Sequence, residues 1–159
     1  MPAPLSLIAT LCVAACLAAL ALTALARRYA LARQLVDAPG ERRSHTVATP
    51  RGGGIAIVAV VLPAMIWLGI AGKSLSPVLL SGACGLALVA AIGWLDDHRP
   101  LSPWGRLAVH LLAAALLAVG VAWAGQPAWW AIVVMVLALG LINVWNFMDG
   151  INGIASIQA

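Results

Sequence analysis

Five uninterrupted apolar runs constrain what this 159-residue chain can fold into. A helix needs about 20 residues to cross the hydrocarbon core of a bilayer. The runs that meet or approach this length cover residues 5–26, 55–71, 77–95, 104–124 and 128–146. The composition agrees, because 64% of the residues are hydrophobic and only 9% are charged, whereas about 25% are charged in soluble domains. The sequence therefore predicts an all-α fold, a polytopic transmembrane helical bundle of about five spans that forms a single domain over residues 1–159.

The basic residues indicate how this bundle is oriented. The loop over residues 27–54 contains Arg27, Arg28, Arg33, Arg42, Arg43 and Arg51. Arg99 and Arg106 lie in or beside the loop over residues 96–103, whereas the opposite side has only Lys73. Because Lys and Arg are enriched in cytoplasmic loops, both of these loops are predicted to be cytoplasmic and the N-terminus to be outside. The net charge of +4 then reflects orientation and contact with anionic lipid, and no nucleic-acid partner is expected.

Asp96 and Asp97 are adjacent and belong to a set of acidic residues that all fall on the predicted cytoplasmic side. Neighbouring carboxylates at a helix end repel each other unless a positive group lies near them. A divalent cation meets this need, and Mg²⁺ commonly binds one or two carboxylates together with the phosphates of a substrate. The alternative is a solvated loop that only ends the third span.

A polar stripe runs along the cytoplasmic end of the fifth span. At about 100° per helical residue, its members fall within an arc of about 120°. They are Asn143, Asn146, Asp149, Gly150 and Gly153. An ionisable residue in a membrane span indicates a functional site by default, so Asp149 is a candidate metal ligand. The alternative is helix–helix contact through asparagine hydrogen bonds, which average about 0.6 kcal/mol in a membrane.

A run of three glycines, residues 52–54, follows Arg51 at the start of the second span. Backbone N–H groups before a helix N-terminus, together with the helix dipole, favour an anion. Arginines in the same loop add positive charge suited to phosphate. Candidate phosphate-binding residues here are Arg42, Arg43, His45, Arg51 and Gly53. Two alternatives stay open, because glycine also serves tight turns and His45 could simply face water.

Taken in order, the three polar segments resemble the polyprenyl-phosphate N-acetylhexosamine-1-phosphate transferases, also called bacterial glycosyltransferase family 4. The matching motifs are Asp37-x-Pro39 with Arg42-Arg43-x-His45 and residues 50–54, then Asp96-Asp97, then Asn143-x-x-Asn146-x-x-Asp149-Gly150-x-Asn152-Gly153. The resemblance covers almost the whole chain. It implies transfer of a sugar 1-phosphate from a UDP-sugar to undecaprenyl phosphate, release of UMP, and use of Mg²⁺, with Mn²⁺ as an alternative.

Carried over position by position, the resemblance also implies a role for each motif. Asp149 is similar to the family's metal-binding aspartate, and Asp96 and Asp97 are similar to its catalytic pair. The residues implied to contact the substrates are Arg42, Arg43, His45, Arg51, Gly53, Asn143, Asn146 and Asn152. Because a phosphomonoester is largely ionised at neutral pH, we expect the aspartate pair to act electrostatically and by positioning the metal, in preference to abstracting a proton.

Two positions separate this chain from the branch of the family that acts on muramoyl-pentapeptide. That branch has a lysine where Pro100 stands and an aspartate where Asn152 stands. The resemblance therefore favours the branch that initiates O-antigen or other lipopolysaccharide-type surface polysaccharides, with UDP-N-acetylglucosamine or a deoxy relative as donor. The expected location is the bacterial inner membrane, with the active face cytoplasmic. Membrane lipid is an expected partner, and a homodimer is left open.

Family members have more spans than the five predicted here. The resemblance therefore implies an N-terminal half, a C-terminally truncated fragment that is incomplete relative to the family and inactive alone. Two other functions stay open. A non-enzymatic membrane subunit or ion-pathway protein using Asp149 would place acidic groups near the bilayer midplane, whereas these lie at one interface. A CDP-alcohol phosphotransferase would carry Asp-Gly-x-x-Ala-Arg, but here Asp149-Gly150 is followed by Ile-Asn-Gly-Ile.

Overall fold

The computed structural model describes residues 5–37, 49–72 and 75–148, and within these ranges the chain forms five long helices. They are α1 (Leu5–Ala32), α2 (Gly54–Ala71), α3 (Ser76–His98), α4 (Pro103–Trp123) and α5 (Ala128–Met148). Each helix is long and apolar enough to cross a membrane. The predicted all-α bundle of about five spans is therefore confirmed.

Two helices extend beyond the apolar runs that identified them. α1 continues to Ala32 and α3 continues to His98, so Asp96 and Asp97 lie in the last turn of α3 and not in an irregular loop. Hydropathy marks only the part of a helix that suits hydrocarbon, whereas the helical backbone continues until a residue interrupts it. Here Arg99 leaves the helical region, with φ −146° and ψ 122°, because the proline that follows it disfavours the α conformation.

Each helix packs against the next one along the chain, and the most extensive contact joins α3 to α4. A Cβ on Gly85 would lie 3.0 Å from the carbonyl oxygen of Ala113. A Cβ on Gly120 would lie 2.6 Å from the carbonyl oxygen of Pro77 and would overlap Ser81 Oγ. Small residues at such positions let the backbones of transmembrane helices approach closely. The buried apolar residues of this core are Ala83, Ala113, Ala114, Ala118 and Val121.

The outward faces of the helices are apolar. Leu5, Ile70 and Trp104 are 83%, 75% and 80% exposed, respectively. A soluble monomer rarely exposes large contiguous apolar patches, whereas lipid covers such a surface on a membrane protein. The exposed surface and the five helices together describe a multi-pass membrane protein.

A short antiparallel pair connects the end of α1 to the start of α2. Its strands are β1 (Val36–Asp37) and β2 (Thr49–Pro50), with Val36 opposite Pro50. The backbone N–H of Arg51 donates to the carbonyl oxygen of Leu35 at 3.0 Å. The sequence did not predict this pair, which is too short to change the fold class. Its consequence is local, because it holds the two ends of the 38–48 segment together immediately before the glycine run.

Candidate active site at the end of α3

The glycine run meets the last turn of α3. Gly52 has a φ of +82°, a left-handed conformation that residues with a Cβ rarely adopt. A Cβ at Gly52 would lie 3.7 Å from Asp97 Oδ2 and 3.8 Å from Trp94 Cζ3. We call residues 51–53 the glycine turn. The first and second polar segments of the sequence, which are distant along the chain, are therefore adjacent in the structure.

The neighbouring carboxylate of Asp96 has different contacts. Its Oδ2 accepts a hydrogen bond from Arg106 Nη1 at 2.9 Å, and its Oδ1 accepts one from the backbone N–H of Leu101, also at 2.9 Å. The side chains of the ion pair are 29% exposed for Arg106 and 28% for Asp96. These contacts fold the α3–α4 connection onto the end of α3. Asp96 thus holds this connection, whereas Asp97 faces the glycine turn.

The first turn of α4 explains how Arg106 reaches Asp96. Ser102 precedes the helix, and its Oγ accepts a hydrogen bond from the backbone N–H of Gly105 at 3.1 Å. Pro103 occupies the first turn, where its missing N–H is not needed. A serine cap followed by proline is a strong signal for a helix start. It places Arg106 one turn into α4, beside the end of α3.

The position of both aspartates in the last helical turn bears on whether a cation fits here. The helix dipole is negative at the C-terminus, so it disfavours ionised carboxylates and favours positive groups. Arg106 offsets this effect at Asp96. Within the part of the chain that the structure describes, no three His, Cys, Asp or Glu side chains form a group that could hold a metal. Mg²⁺ commonly binds only one or two carboxylates, with phosphates and water as its other ligands, so a metal site that includes these aspartates stays a prediction.

An apolar cleft of about 260 Å³ opens beside the glycine turn, between α1, α2 and α3. Its lining consists of Leu22, Leu25, Ala26, Tyr29, Ile55, Ala56, Ala59 and Trp94. Trp94 belongs both to this lining and to the contact with Gly52, so one side chain connects the cleft with the glycine turn. Apolar walls beside a few polar groups suit a ligand with a hydrocarbon chain and a polar head.

The third polar segment lies at the end of α5. The Asn143 side chain is partly buried and donates from Nδ2 to the carbonyl oxygen of Leu139 at 2.8 Å, and Asn146 is exposed. α5 packs mainly against α4, and α4 packs against α3. The up-and-down order of the helices therefore puts the asparagines at the same end of the bundle as Asp97, with α4 between them.

The other predicted site residues divide between described and undescribed parts of the chain. Arg51 is half-buried in the glycine turn. Gly53 immediately precedes α2, with open space where a Cβ would project. Outside the described residues lie Arg42, Arg43, His45, Asp149 and Asn152. Their roles, like the catalytic role of the aspartate pair, stay predictions.

Sequence reasoning missed three residues that shape this end of the bundle. Arg106 was used only as an orientation signal, although it forms the ion pair with Asp96. Tyr29 and His98 were assigned no role, yet they bond to each other across α1 and α3. The only available signal was proximity in sequence, because His98 directly follows the aspartate pair and Arg106 opens the next helix.

Comparison with known proteins gives one family and several relatives. The model of glycosyl transferase family 4 matches residues 79–159. The decaprenyl-phosphate N-acetylglucosaminephosphotransferase of Mycobacterium tuberculosis is 28% identical over 141 residues, which cover 74% of this chain and 34% of the relative. The probable undecaprenyl-phosphate N-acetylglucosaminyl 1-phosphate transferase of Bacillus subtilis is 27% identical over 152 residues, 88% of this chain and 42% of that relative. The chain thus spans less than half the length of these relatives, and no solved structure matches it significantly.

Proposed function

The chain belongs to glycosyl transferase family 4, and from that membership we propose that it takes part in the transfer of N-acetylglucosamine 1-phosphate from UDP-N-acetylglucosamine to undecaprenyl phosphate. The observation that carries this proposal is the family match over residues 79–159, because that range includes the aspartate pair and the whole third polar segment. The names of the mycobacterial and Bacillus relatives support a polyprenyl phosphate as acceptor and N-acetylglucosamine as the sugar.

The proposed reaction makes one P–O bond and breaks another. An oxygen of the lipid phosphate attacks the sugar-bearing phosphorus of the donor. The bond from that phosphorus to the bridging oxygen breaks, and UMP leaves with the oxygen and the electron pair. The products are the lipid-linked sugar pyrophosphate and UMP. Such a step depends mainly on alignment of two anionic reactants and neutralisation of their charge.

The glycine turn and Asp97 suit this requirement. Asp97 and Trp94 lie beside Gly52, and the lack of a side chain there would let a phosphate approach the backbone of this turn. We propose that Asp149 of the third segment would bind Mg²⁺, which supplies positive charge to the phosphates when bound, and that Asp97 would help to position the metal and the phosphates at the same end of the bundle. Arg51, which directly precedes Gly52, would add a second positive group. Asp96 would orient the end of α3 through Arg106, and it would affect the reaction through Asp97.

The apolar cleft supports a lipid acceptor. Its walls come from three helices and carry no charged side chain among the lining residues. The isoprenoid chain would lie in this cleft with its phosphate at the glycine turn, while the water-soluble donor would approach from the helix ends. The arginine-rich loops place these ends on the cytoplasmic side by the positive-inside rule. We therefore propose a cytoplasmic-facing site in a bacterial inner membrane.

Two sequence positions support a role in starting surface polysaccharides of the O-antigen type. Pro100 and Asn152 differ from the muramoyl-pentapeptide branch, as noted above. An ion pathway is less well supported, because Asp96 and Asp97 lie in the last turn of α3 and not in the middle of a span.

The direct test is an assay of the full-length protein in membranes with labelled UDP-N-acetylglucosamine and undecaprenyl phosphate. We expect formation of UMP and of a lipid-linked sugar pyrophosphate, loss of both with EDTA, and recovery with Mg²⁺ or Mn²⁺. Undecaprenol, which lacks the phosphate, is the matched control acceptor and should give no product. Release of UDP would indicate a different glycosyl transfer. Failure to release UMP from any UDP-sugar tested would refute the proposed function.

A further inference from the structure

Three aromatic side chains join α1 to the end of α3. Tyr29 stacks on Trp94 with ring centroids 5.5 Å apart and an interplanar angle of 24°. Trp94 lies against His98 with centroids 4.6 Å apart. We call these three residues the aromatic cluster. Ring contacts of this kind stabilise packing beyond the effect of the apolar area that they bury.

Both ring nitrogens of His98 have a partner. Nδ1 lies 2.7 Å from the carbonyl oxygen of Trp94, and Nε2 lies 3.1 Å from the hydroxyl oxygen of Tyr29. A carbonyl oxygen can only accept, so in the neutral ring Nδ1 carries the proton and Nε2 accepts from the Tyr29 hydroxyl. This tautomer is inferred from the partners. Both ends of the ring are thereby fixed, one within α3 and the other to α1.

The aromatic cluster adjoins the candidate site. His98 immediately follows Asp97, and Trp94 is the residue that contacts the glycine turn. The last turn of a helix lacks some of its intrahelical hydrogen bonds and frays unless other groups hold it. A histidine near a helix C-terminus can stabilise the last turn by a hydrogen bond to one of its carbonyl groups. The hydrogen bond between His98 and Tyr29 also connects this last turn to α1, 69 residues earlier in the sequence.

We propose that Tyr29 and His98 form a positioning pair, which fixes the last turn of α3 and thereby holds the Asp97 carboxylate against the glycine turn. This inference rests on the proposed function only for the role of Asp97 in the reaction. Tyr29 and His98 touch no reacting atom and act through Asp97. If the pair only stabilised helix packing, its loss would lower stability and leave turnover per folded molecule unchanged.

Two substitutions remove the bond with little other change. Tyr29→Phe removes the hydroxyl and keeps the ring that stacks on Trp94 and lines the cleft. His98→Asn keeps a polar group near the Trp94 carbonyl and removes the group that meets Tyr29. In the full-length protein each is expected to lower kcat by about 2- to 13-fold, which corresponds to a hydrogen bond of about 0.5–1.5 kcal/mol. KM for the lipid acceptor is expected to stay the same.

The double variant tests whether the two residues act through one bond. It should lose no more turnover than the worse single variant, because the second substitution has no bond left to remove. His98→Gln reaches closer to the Nε2 position and is expected to recover part of the loss seen with His98→Asn. Thr23→Val is the matched control, since it removes a hydroxyl of α1 that donates to the carbonyl oxygen of Ala19 in its own helix. Additive losses in the double variant would overturn the inference.

A second measurement does not depend on activity. In a background with Cys12, Cys16 and Cys84 changed to alanine, Asp97→Cys is labelled with a small water-soluble thiol reagent. Tyr29→Phe is expected to loosen the last turn of α3 and to raise the labelling rate by about 2- to 13-fold, whereas Thr23→Val should not.

The two measurements separate the inference from the proposed function. An unchanged labelling rate with Tyr29→Phe would overturn the positioning pair, even in a protein shown to be a transferase. A raised rate in a protein without transferase activity would support the pair and refute only the proposed function.

Discussion

The two ends of α3 are held by different kinds of contact. At the N-terminal end, α3 meets α4 at Gly120, where no side chain has room. At the C-terminal end the contacts are polar and aromatic, with Asp96 paired to Arg106 and His98 bonded to Tyr29. Close packing of small residues sets the distance between backbones, whereas directional bonds orient individual atoms. The first end therefore secures the bundle, and the second orients the side chains of the candidate site.

The same contrast applies to the adjacent aspartates. Asp96 is bonded to the α3–α4 connection through both carboxylate oxygens. Asp97 faces the glycine turn, beside Trp94 and the apolar cleft. Adjacent residues on a helix point about 100° apart, so one can serve packing while the next serves a ligand. Substitutions at the two ends of α3 should accordingly separate stability from turnover.

The largest expected effect is on turnover in Asp97→Asn. Loss of one electrostatic contact in a transition state typically costs about 10²- to 10³-fold in kcat, while the thermal midpoint in detergent should change little. The acid limb of the rate–pH profile should stay at about pH 6, where a phosphomonoester such as the lipid phosphate takes up its second proton. A limb that disappears in Asp97→Asn would instead indicate that Asp97 abstracts a proton. UMP release and thermal unfolding, measured on the same preparation, check both statements.

The second prediction concerns the opposite end of α3. Gly120→Ala puts a Cβ into Ser81 and the Pro77 carbonyl, and overpacking of this kind destabilises by about 1–3 kcal/mol. Turnover per folded molecule should be unchanged. Gly93→Ala is the matched control, because nothing lies within 4 Å of its added Cβ and alanine favours a helix by up to about 1 kcal/mol over glycine. Equal unfolding midpoints for the two variants would contradict close packing at Gly120.

A third, smaller effect is expected for the ion pair at the end of α3. Asp96→Asn, Arg106→Gln and the double variant form a thermodynamic cycle measured by unfolding in detergent. We expect a coupling energy of about 1 kcal/mol, between the values for exposed and fully buried pairs. Turnover in Asp96→Asn should fall less than in Asp97→Asn. If Asp96→Asn and Asp97→Asn lowered turnover equally without loss of stability, the two aspartates would act together as one catalytic pair.

The smallest expected effect distinguishes the cost of backbone strain from the effect of a side chain in the candidate site. Gly52 and Gly125 both have positive φ, +82° and +79°. A left-handed residue with a Cβ costs about 1–2 kcal/mol, so alanine at either position should lower stability by a similar amount. Only Gly52→Ala should also lower turnover, since its Cβ would project toward Asp97 and Trp94, whereas nothing lies within 4 Å at Gly125. A similar loss of turnover in both variants would show that the glycine turn has no special role.

Much of the fold could be predicted because hydropathy is a local property. Each apolar run was long enough to identify a helix without knowledge of its neighbours, and Pro100 carries the signal that ends α3. The sequence also suggested that the glycine run and the aspartate pair share one side of the bundle. It could not predict that Gly52 lies against Asp97, because that depends on the rotation and depth of α2 relative to α3.

The sequence by itself determined that this is a multi-pass membrane protein and a member of glycosyl transferase family 4. Only the tertiary structure decided that Asp96 bonds to Arg106, that Asp97 faces the glycine turn, and that Tyr29 holds His98. The physical reason is that helix formation follows from the length and polarity of a segment. Which side chains meet between helices depends instead on many weak packing contacts acting together.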